Sequence, residues 1–316
     1  MRLKISRVAI FLLLLFNGPA LALDRIRIGM PADAGHFTLQ LAQKRGFLKE
    51  EGFEAEIIAL TGPVANIALA SGDIDYFTGF GSSIRAIIQG SLPSRIVACF
   101  RPTPHLVLIG RPELKSVKDL KGKTMGGTPG TAPDLVGRII LKHFGLDPDK
   151  DMKFLRTTSD SAFVRMQQGS IDAQTLPVPW DFRARKFGLS ILARAEDLFT
   201  YPISGVVAHV KKIKDKPDEI KRLIKAGIKA NRSMRANRDG TIEVLASIYR
   251  LDRETAAALY DSFVKGFNED GNVPEDGLRR LTEDTKNILK IDREVSAGEV
   301  IDLSILRQAQ KEMGIK

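Results

Sequence analysis

Gly72-Asp73-Ile74-Asp75 and Gly169-Ser170-Ile171-Asp172 stand 97 residues apart, and each closes a helix-like segment and opens a strand-like one. Ala65-Asn66-Ile67-Ala68-Leu69-Ala70 precedes the first copy with apolar residues on one helical face, and Tyr76-Phe77-Thr78-Gly79 follows it. Ala162-Phe163-Val164-Arg165-Met166 precedes the second copy, and Ala173-Gln174-Thr175-Leu176 follows. In each copy the Gly suits the left-handed position that ends a helix, so the phrase alone is an ordinary helix-to-strand turn. Its recurrence with matching flanks predicts two α/β lobes of similar build with a ligand cleft between them.

The pattern around these phrases alternates. Strands are predicted over 25–30, 54–60, 75–79 and 96–100, with helices over 37–50, 63–70 and 82–89 between them. A strand over 105–110 follows closely, and the alternation restarts with strands over 122–127, 153–157 and 173–176 and helices over 132–143, 161–168 and 180–187. A further strand is expected over 204–208, and everything from Pro217 to about 289 reads as helix. Such alternation gives a mostly parallel sheet with helices on both faces. The expected fold class is α/β with two lobes: residues 23–104 and 205–316 form a discontinuous first lobe that includes the C-terminal helices, and residues 105–204 form the second. The chain is expected to cross between them near 101–108 and 201–207.

Residues 1–22 read as a cleavable export signal: Arg2, Lys4 and Arg7 make a basic start, 8–16 are apolar, and Ala20-Leu21-Ala22 offers small residues for cleavage. The apolar run is shorter than the roughly 20 residues a bilayer span needs, so no stable membrane insertion is expected. No Cys follows the cleavage point, which argues against a lipid anchor and for a periplasmic protein. Losing the leader lowers the formal net charge from +10 to +7. The Lys and Arg residues are spread along helices and mixed with acids, a solvated face and not a nucleic-acid stripe. Cys99 is the single cysteine and lies in the apolar run Arg95-Ile96-Val97-Ala98-Cys99-Phe100, so it reads as a small core residue with no disulfide partner.

In open α/β sheets a ligand lies past the carboxyl ends of the strands, where helix N-termini present free N–H groups. Four segments qualify. Gly79-Phe80-Gly81-Ser82-Ser83 links a strand to a helix, and Gly127-Thr128-Pro129-Gly130-Thr131-Ala132 does the same in the second lobe, with Thr131 and Asp134 spaced as an N-cap pair. The loop over 30–37 offers His36 and Phe37, and Thr175-Leu176-Pro177-Val178-Pro179-Trp180 has two prolines that fix the entry of the Trp180 helix. Thr61 and Gly62, with Arg101 and Thr103, are further candidates by position, Arg101 either pairing an anion or bridging the lobes. Any one such loop is by itself a cap or turn; the same device in both lobes favours a shared site.

Catalytic readings have less behind them. Four His and one Cys are scattered without zinc spacing, no Gly-x-Ser-x-Gly elbow occurs, and Ile84 stands where a dinucleotide fingerprint needs its third Gly. No metal and no cofactor are expected, and Asp33, Asp134, Asp160 and Asp181 read as caps and surface charges.

The stretch Ala42-Gln43-Lys44-Arg45-Gly46-Phe47-Leu48-Lys49-Glu50-Glu51-Gly52-Phe53, the Ser71-Gly72-Asp73-Ile74-Asp75 turn, Leu114-Lys115-Ser116-Val117-Lys118-Asp119-Leu120-Lys121-Gly122-Lys123 and the closing Val300-Ile301-Asp302-Leu303-Ser304 resemble the nitrate/sulfonate/taurine-type solute-binding proteins of bacterial ABC importers. The resemblance covers nearly all of the mature chain. It implies a type II periplasmic-binding-protein fold, in the branch that also holds a thiamin-pyrimidine synthase, closing like a clamshell on one small solute and handing it to a membrane permease and its ATPase. The family's binding positions fall on Phe37, Thr61, Gly81 to Ser83, Thr128 to Ala132 and Pro177 to Trp180. The cysteine-rich iron motif of the synthase has no counterpart here, which argues against enzyme chemistry. The expected activity is therefore capture of an anionic or zwitterionic organic molecule (sulfonate, carboxylate or pyrimidine-like) by a monomer. The competing expectations are a secreted lyase or dehydratase on the same fold and a protein that presents ligand to a membrane sensor.

Overall fold

The computed structural model describes residues 23–128, 132–158, 161–178 and 180–315. The export signal at 1–22, and Gly130, Thr131, Asp160 and Pro179 among the candidates, lie outside the described residues.

The described residues contain ten strands: β1 (Asp24–Met30), β2 (Phe53–Ala59), β3 (Tyr76–Gly79), β4 (Ser94–Arg101), β5 (Leu106–Gly110), β6 (Thr124–Gly127), β7 (Lys153–Arg156), β8 (Ala173–Pro177), β9 (Ser190–Arg194) and β10 (Ser204–His209). They form two five-stranded sheets, ordered β2-β1-β3-β10-β4 and β7-β6-β8-β5-β9. The two orders have one design. Three parallel strands come first, then one antiparallel strand, β10 or β5, then an edge strand pairing with it alone. Four strands of each sheet run the same way, as the α/β alternation predicts. The chain leaves the first sheet after Arg101, enters the second at Leu106, leaves it after Arg194 and returns at Ser204.

The repeated phrase does the same work in both sheets. Gly72 and Gly169 take φ of +84° and +72° and end their helices in the left-handed region, where a side chain would be strained. The Asp that closes each phrase then brackets one residue of the neighbouring strand. Asp75 N–H donates to the Arg27 carbonyl at 2.8 Å while Arg27 N–H donates to Asp75 Oδ2 at 2.7 Å. Asp172 N–H donates to the Thr124 carbonyl, and Thr124 N–H donates to Asp172 Oδ2, both at 2.8 Å. Each carboxylate also meets a cation placed just beyond the antiparallel strand: Lys212 Nζ is 2.7 Å from Asp75, and Arg111 Nη1 is 3.6 Å from Asp172.

Three local expectations are corrected. The helix expected over 37–50 is a 3-10 turn at Ala34–His36 and two helices, Thr38–Lys44 and Phe47–Glu50, because Gly46 takes φ +81° between them. The continuous helical region after Pro217 is four separate long helices, Pro217–Ala236, Arg238–Tyr249, Arg253–Phe263 and Glu275–Leu289. Asn237 and Asp252 each restart a helix by accepting a backbone N–H, and Arg250 ends one with φ +53°. The edge strand β9 was not predicted: its five residues are all half-buried, so they show no alternation to read.

The C-terminal helices complete the first sheet. Pro217–Ala236 packs on β4, with Gly227 so close to Phe100 that a Cβ there would lie 2.1 Å from the ring. Asn231, almost fully buried, receives the hydroxyl of Thr38 at 2.8 Å and donates to the carbonyls of Phe100 and Asn268, stitching three segments together. Cys99 is fully buried, which pushes its thiol far above its usual pKa range and leaves it a core residue.

Candidate functional site

The carboxyl ends of the parallel strands carry the segments singled out by sequence. In the first sheet β1 runs into the 31–37 loop, β2 into helix Gly62–Ser71, and β3 directly into helix Phe80–Ile88. The last two helices start side by side. A Cβ on Gly62 would fall 2.4 Å from Ser82 Oγ, so the absence of a side chain at Gly62 lets the Ser82 hydroxyl lie against the first turn of its neighbour. The first turn of helix Gly62–Ser71 and that of Phe80–Ile88 thereby lie together at the Ser82 hydroxyl. Asn66, which sequence reading passed over, fixes this corner by donating to the Ser82 carbonyl at 2.9 Å and accepting from Ser83 Oγ at 3.1 Å. A cavity of about 580 Å³ between the two helices reaches Asn66 and Ser82. Thr61 and Gly81 are exposed beside it, and Gly81 has open space where a side chain would project.

Three candidates have interior roles instead. Phe37 is fully buried against Phe263 and Tyr249, with ring centroids 6.2 and 6.3 Å away. Ser83 is fully buried and spends its hydroxyl on the Gly79 carbonyl and Asn66. Arg101 has no exposed side chain: Nε donates to the Thr103 carbonyl, Nη1 to the Phe263 carbonyl, and the guanidinium stacks 4.6 Å from the Phe267 ring. Its Nη2 lies 3.6 Å from Glu196, beyond β9, so Arg101 bridges the two sheets' territories, the second of the roles its position allowed. Thr103 joins the same bridge by donating to the Gly266 carbonyl.

His36 is buried with its Nδ1 3.1 Å from Thr78 Oγ1, and Asp33 stands at the junction between it and His105. Asp33 Oδ1 accepts from Gly35 N–H at 2.8 Å and lies 3.3 Å from His105 Nε2, while Oδ2 is 3.8 Å from His36 Nε2. Burial acts against the Asp33 charge, but the His105 hydrogen bond and the two imidazoles outweigh it and hold the carboxyl below its ordinary range. Burial is also the largest influence on His36 and drops it from 6.5 to about 4, with the Asp33 charge opposing the fall.

In the second sheet Thr128 Oγ1 donates to the Thr157 carbonyl at 3.3 Å, and helix Ala132–His143 begins four residues later. Pro177 ends β8 and Trp180 opens the next helix, its ring edge-on to Phe163 at 5.3 Å and under the Arg183 guanidinium at 4.5 Å. Trp180 is therefore half core, half surface. Asp134 pairs with Arg138 on its own helix at 3.3 Å. Asp181 departs from expectation: it is not a surface charge but 1% exposed, bonded to Arg194 and to Ser262 of the C-terminal region. Nothing in sequence spacing marks Asp181, because its partners lie 13 and 81 residues away.

Residues 33–240 match the sequence model of the family described as NMT1/THI5 like. A protein of Brucella abortus with the provisional name of a binding protein is 28% identical over 237 residues, 72% of each chain. The periplasmic aliphatic sulphonate binding protein SsuA of Escherichia coli has a similar structure, with a TM-score of 0.76 over 88% of this chain and 92% of that one at 21% identity. The desulfurization enzyme DSZB also shares the fold, with a TM-score of 0.66 at 15% identity over 92% of this chain and 99% of that one. The two five-stranded sheets thus form a periplasmic-binding-protein fold.

Proposed function

Because the chain belongs to the NMT1/THI5-like family, we propose that it is a solute-binding protein that holds one small organic molecule between two lobes and delivers it to an ABC importer. The observation that carries this reading is the corner where the N-termini of helices Gly62–Ser71 and Phe80–Ile88 meet at Ser82, with Gly62 leaving room for the hydroxyl. Helix N-termini favour anions, and the charge of +7 without the leader favours their approach, so the solute is an anion or a zwitterion of sulfonate, carboxylate or pyrimidine type. The names of the sulfonate-binding relatives support that class. In this reading residues 23–104 and 205–316 are one lobe, residues 105–204 the other, and the protein is an exported periplasmic monomer without enzymatic activity. In this reading Thr61, Gly62, Gly81 and Ser82 are the first lobe's contacts to the solute, and Thr128, Pro177 and Trp180 are the second's.

Thermal-shift screening of sulfonates, carboxylates, amino acids and pyrimidines tests the reading. The expected result is stabilisation by anions or zwitterions that Ser82→Ala weakens by about 1 to 3 kcal/mol, since one donor is lost from a desolvated site. A hit set made of cations alone, or affinity unchanged in Ser82→Ala, would overturn it. The fold shared with DSZB keeps an enzyme reading alive, and recovery of a bound compound unchanged after long incubation excludes it.

A further inference from the structure

A second cavity, of about 460 Å³, opens where helix Trp180–Lys186 and the segment after β9 meet the C-terminal helix Arg253–Phe263. Asp181 and Arg185 form one wall, Arg194 and Glu196 another, and Ser262 and Lys265 the third. None of these residues belongs to the cleft described above. The volume lies in the range of sites that take small molecules.

Two carboxylate oxygens of its inner wall lack hydrogen bonds among the described residues. Asp181 is 1% exposed; Oδ2 accepts from Arg194 at 2.7 Å and from Ser262 Oγ at 2.9 Å, but Oδ1 has no hydrogen-bond partner among the described residues although it is buried. Glu196 Oε2 is likewise without a hydrogen bond, its approach to Arg101 being 3.6 Å. Burial raises the Glu196 pKa, and the charges of Arg101 and Arg194 offset this only in part. A buried acceptor left without a donor is costly, and an ionised one more so. On the rim Arg185 and Lys265 are exposed and form no ion pair among the described residues, beside the exposed carboxylates of Asp197 and Asp261, the latter engaged by Arg238 at 2.9 Å.

We propose that this cavity is a second solute site, which takes a small zwitterion with its ammonium group directed at Asp181 and its carboxylate at Arg185 and Lys265. An ammonium group supplies the donor that Asp181 Oδ1 lacks, and a carboxylate gives the two rim cations a counter-charge. Because the walls come from both the β8–β9 region and the C-terminal helices, an occupant ties these together through contacts additional to the Asp181–Ser262 hydrogen bond.

The test is calorimetric titration of the full chain with 4-aminobutanoate, butylamine and butanoate, in the wild type and in Asp181→Asn, Lys265→Ala and Ser82→Ala. The expected result is that 4-aminobutanoate binds better than either half-charged analogue. Asp181→Asn and Lys265→Ala should each weaken it by about tenfold or more, with Ser82→Ala unchanged. Lys265 is exposed, so its variant reports even where loss of Asp181 lowers stability. No binding of 4-aminobutanoate to the wild type, or binding kept in both cavity variants, overturns the proposal. Loss confined to Ser82→Ala also overturns it and assigns the ligand to the cleft; loss confined to the cavity variants leaves the cleft reading to its own screen.

Discussion

Acidification should weaken this protein through His36. The imidazole is buried against Thr78, and Asp33, His105 and Arg101 are the charged or titratable groups acting on it from the adjoining segments. Its pKa falls from 6.5 to about 4 on folding, so between these values the unfolded chain binds a proton that the folded chain refuses. Stability therefore rises with pH through this window and is lost as pH falls from about 6.5 toward 4. Moving from pH 7 to pH 5 should cost about 2 kcal/mol from this one group, and the ceiling is about 3 kcal/mol once pH 4 is reached. Urea unfolding at pH 7 and pH 5, in the wild type and in His36→Asn, isolates the effect, because groups other than His36 titrate in both proteins. Asn can still bond Thr78 Oγ1 but cannot take up a proton. The difference in pH dependence between the two should be about 2 kcal/mol, steeper in the wild type. Equal pH dependence would refute the reasoning, and a steeper loss in the variant would mean that His36 is protonated in the fold.

Asp75→Asn and Asp172→Asn should each lower stability by about 1 to 3 kcal/mol, since each weakens a charge-assisted bond to a backbone N–H; chemical denaturation of both variants checks whether the two copies carry comparable weight. Gly205→Ala should be more severe, about 3 kcal/mol or more and beyond what cavity repacking can relieve, because its Cβ would lie 2.0 Å from the Ala98 carbonyl oxygen and 2.8 Å from Cys99 Cα. Soluble expression and melting temperature report it. Cys99 should resist a thiol reagent in the native protein and react only after denaturant is added, as timed labelling will show; rapid native labelling would contradict its burial.

The fold was largely legible in the sequence because its signals are local. Gly72 and Gly169 announce turns through their own backbone freedom, and the runs before and after them carry helical and strand periods within ten residues. Boundaries such as Ala132–His143 follow from that periodicity. β9 was illegible for the same reason in reverse: a half-buried five-residue edge has no contrast between its faces. The site was legible only as loops. Which side chains of a loop look outward depends on partners distant in sequence, and Arg101 reads alike whether it meets a solute or, as here, Phe263 and Glu196. Asn66 offers no site signal and Asp181 reads as a surface charge because each acquires its role from a residue that only the tertiary fold delivers: Ser82 from the neighbouring helix, and Ser262 from beyond the second sheet.

The placement of β10 governs the order in which this chain can become a protein. β4 pairs with no strand but β10, and β10 arrives only after the whole of the second sheet has been traversed. A growing chain that ends before Ser204 therefore has an unpaired β4 and an open edge on β3, whereas residues 106–194 already contain every strand of the second sheet. The second sheet can complete itself early; the first must wait for a pairing of long sequence separation, the slowest kind to form. Refolding should accordingly show two phases, and a fragment cut before Ser204 should retain structure only in its second half. On the export reading proposed above, such a delay would suit a chain that is threaded through a membrane before it folds.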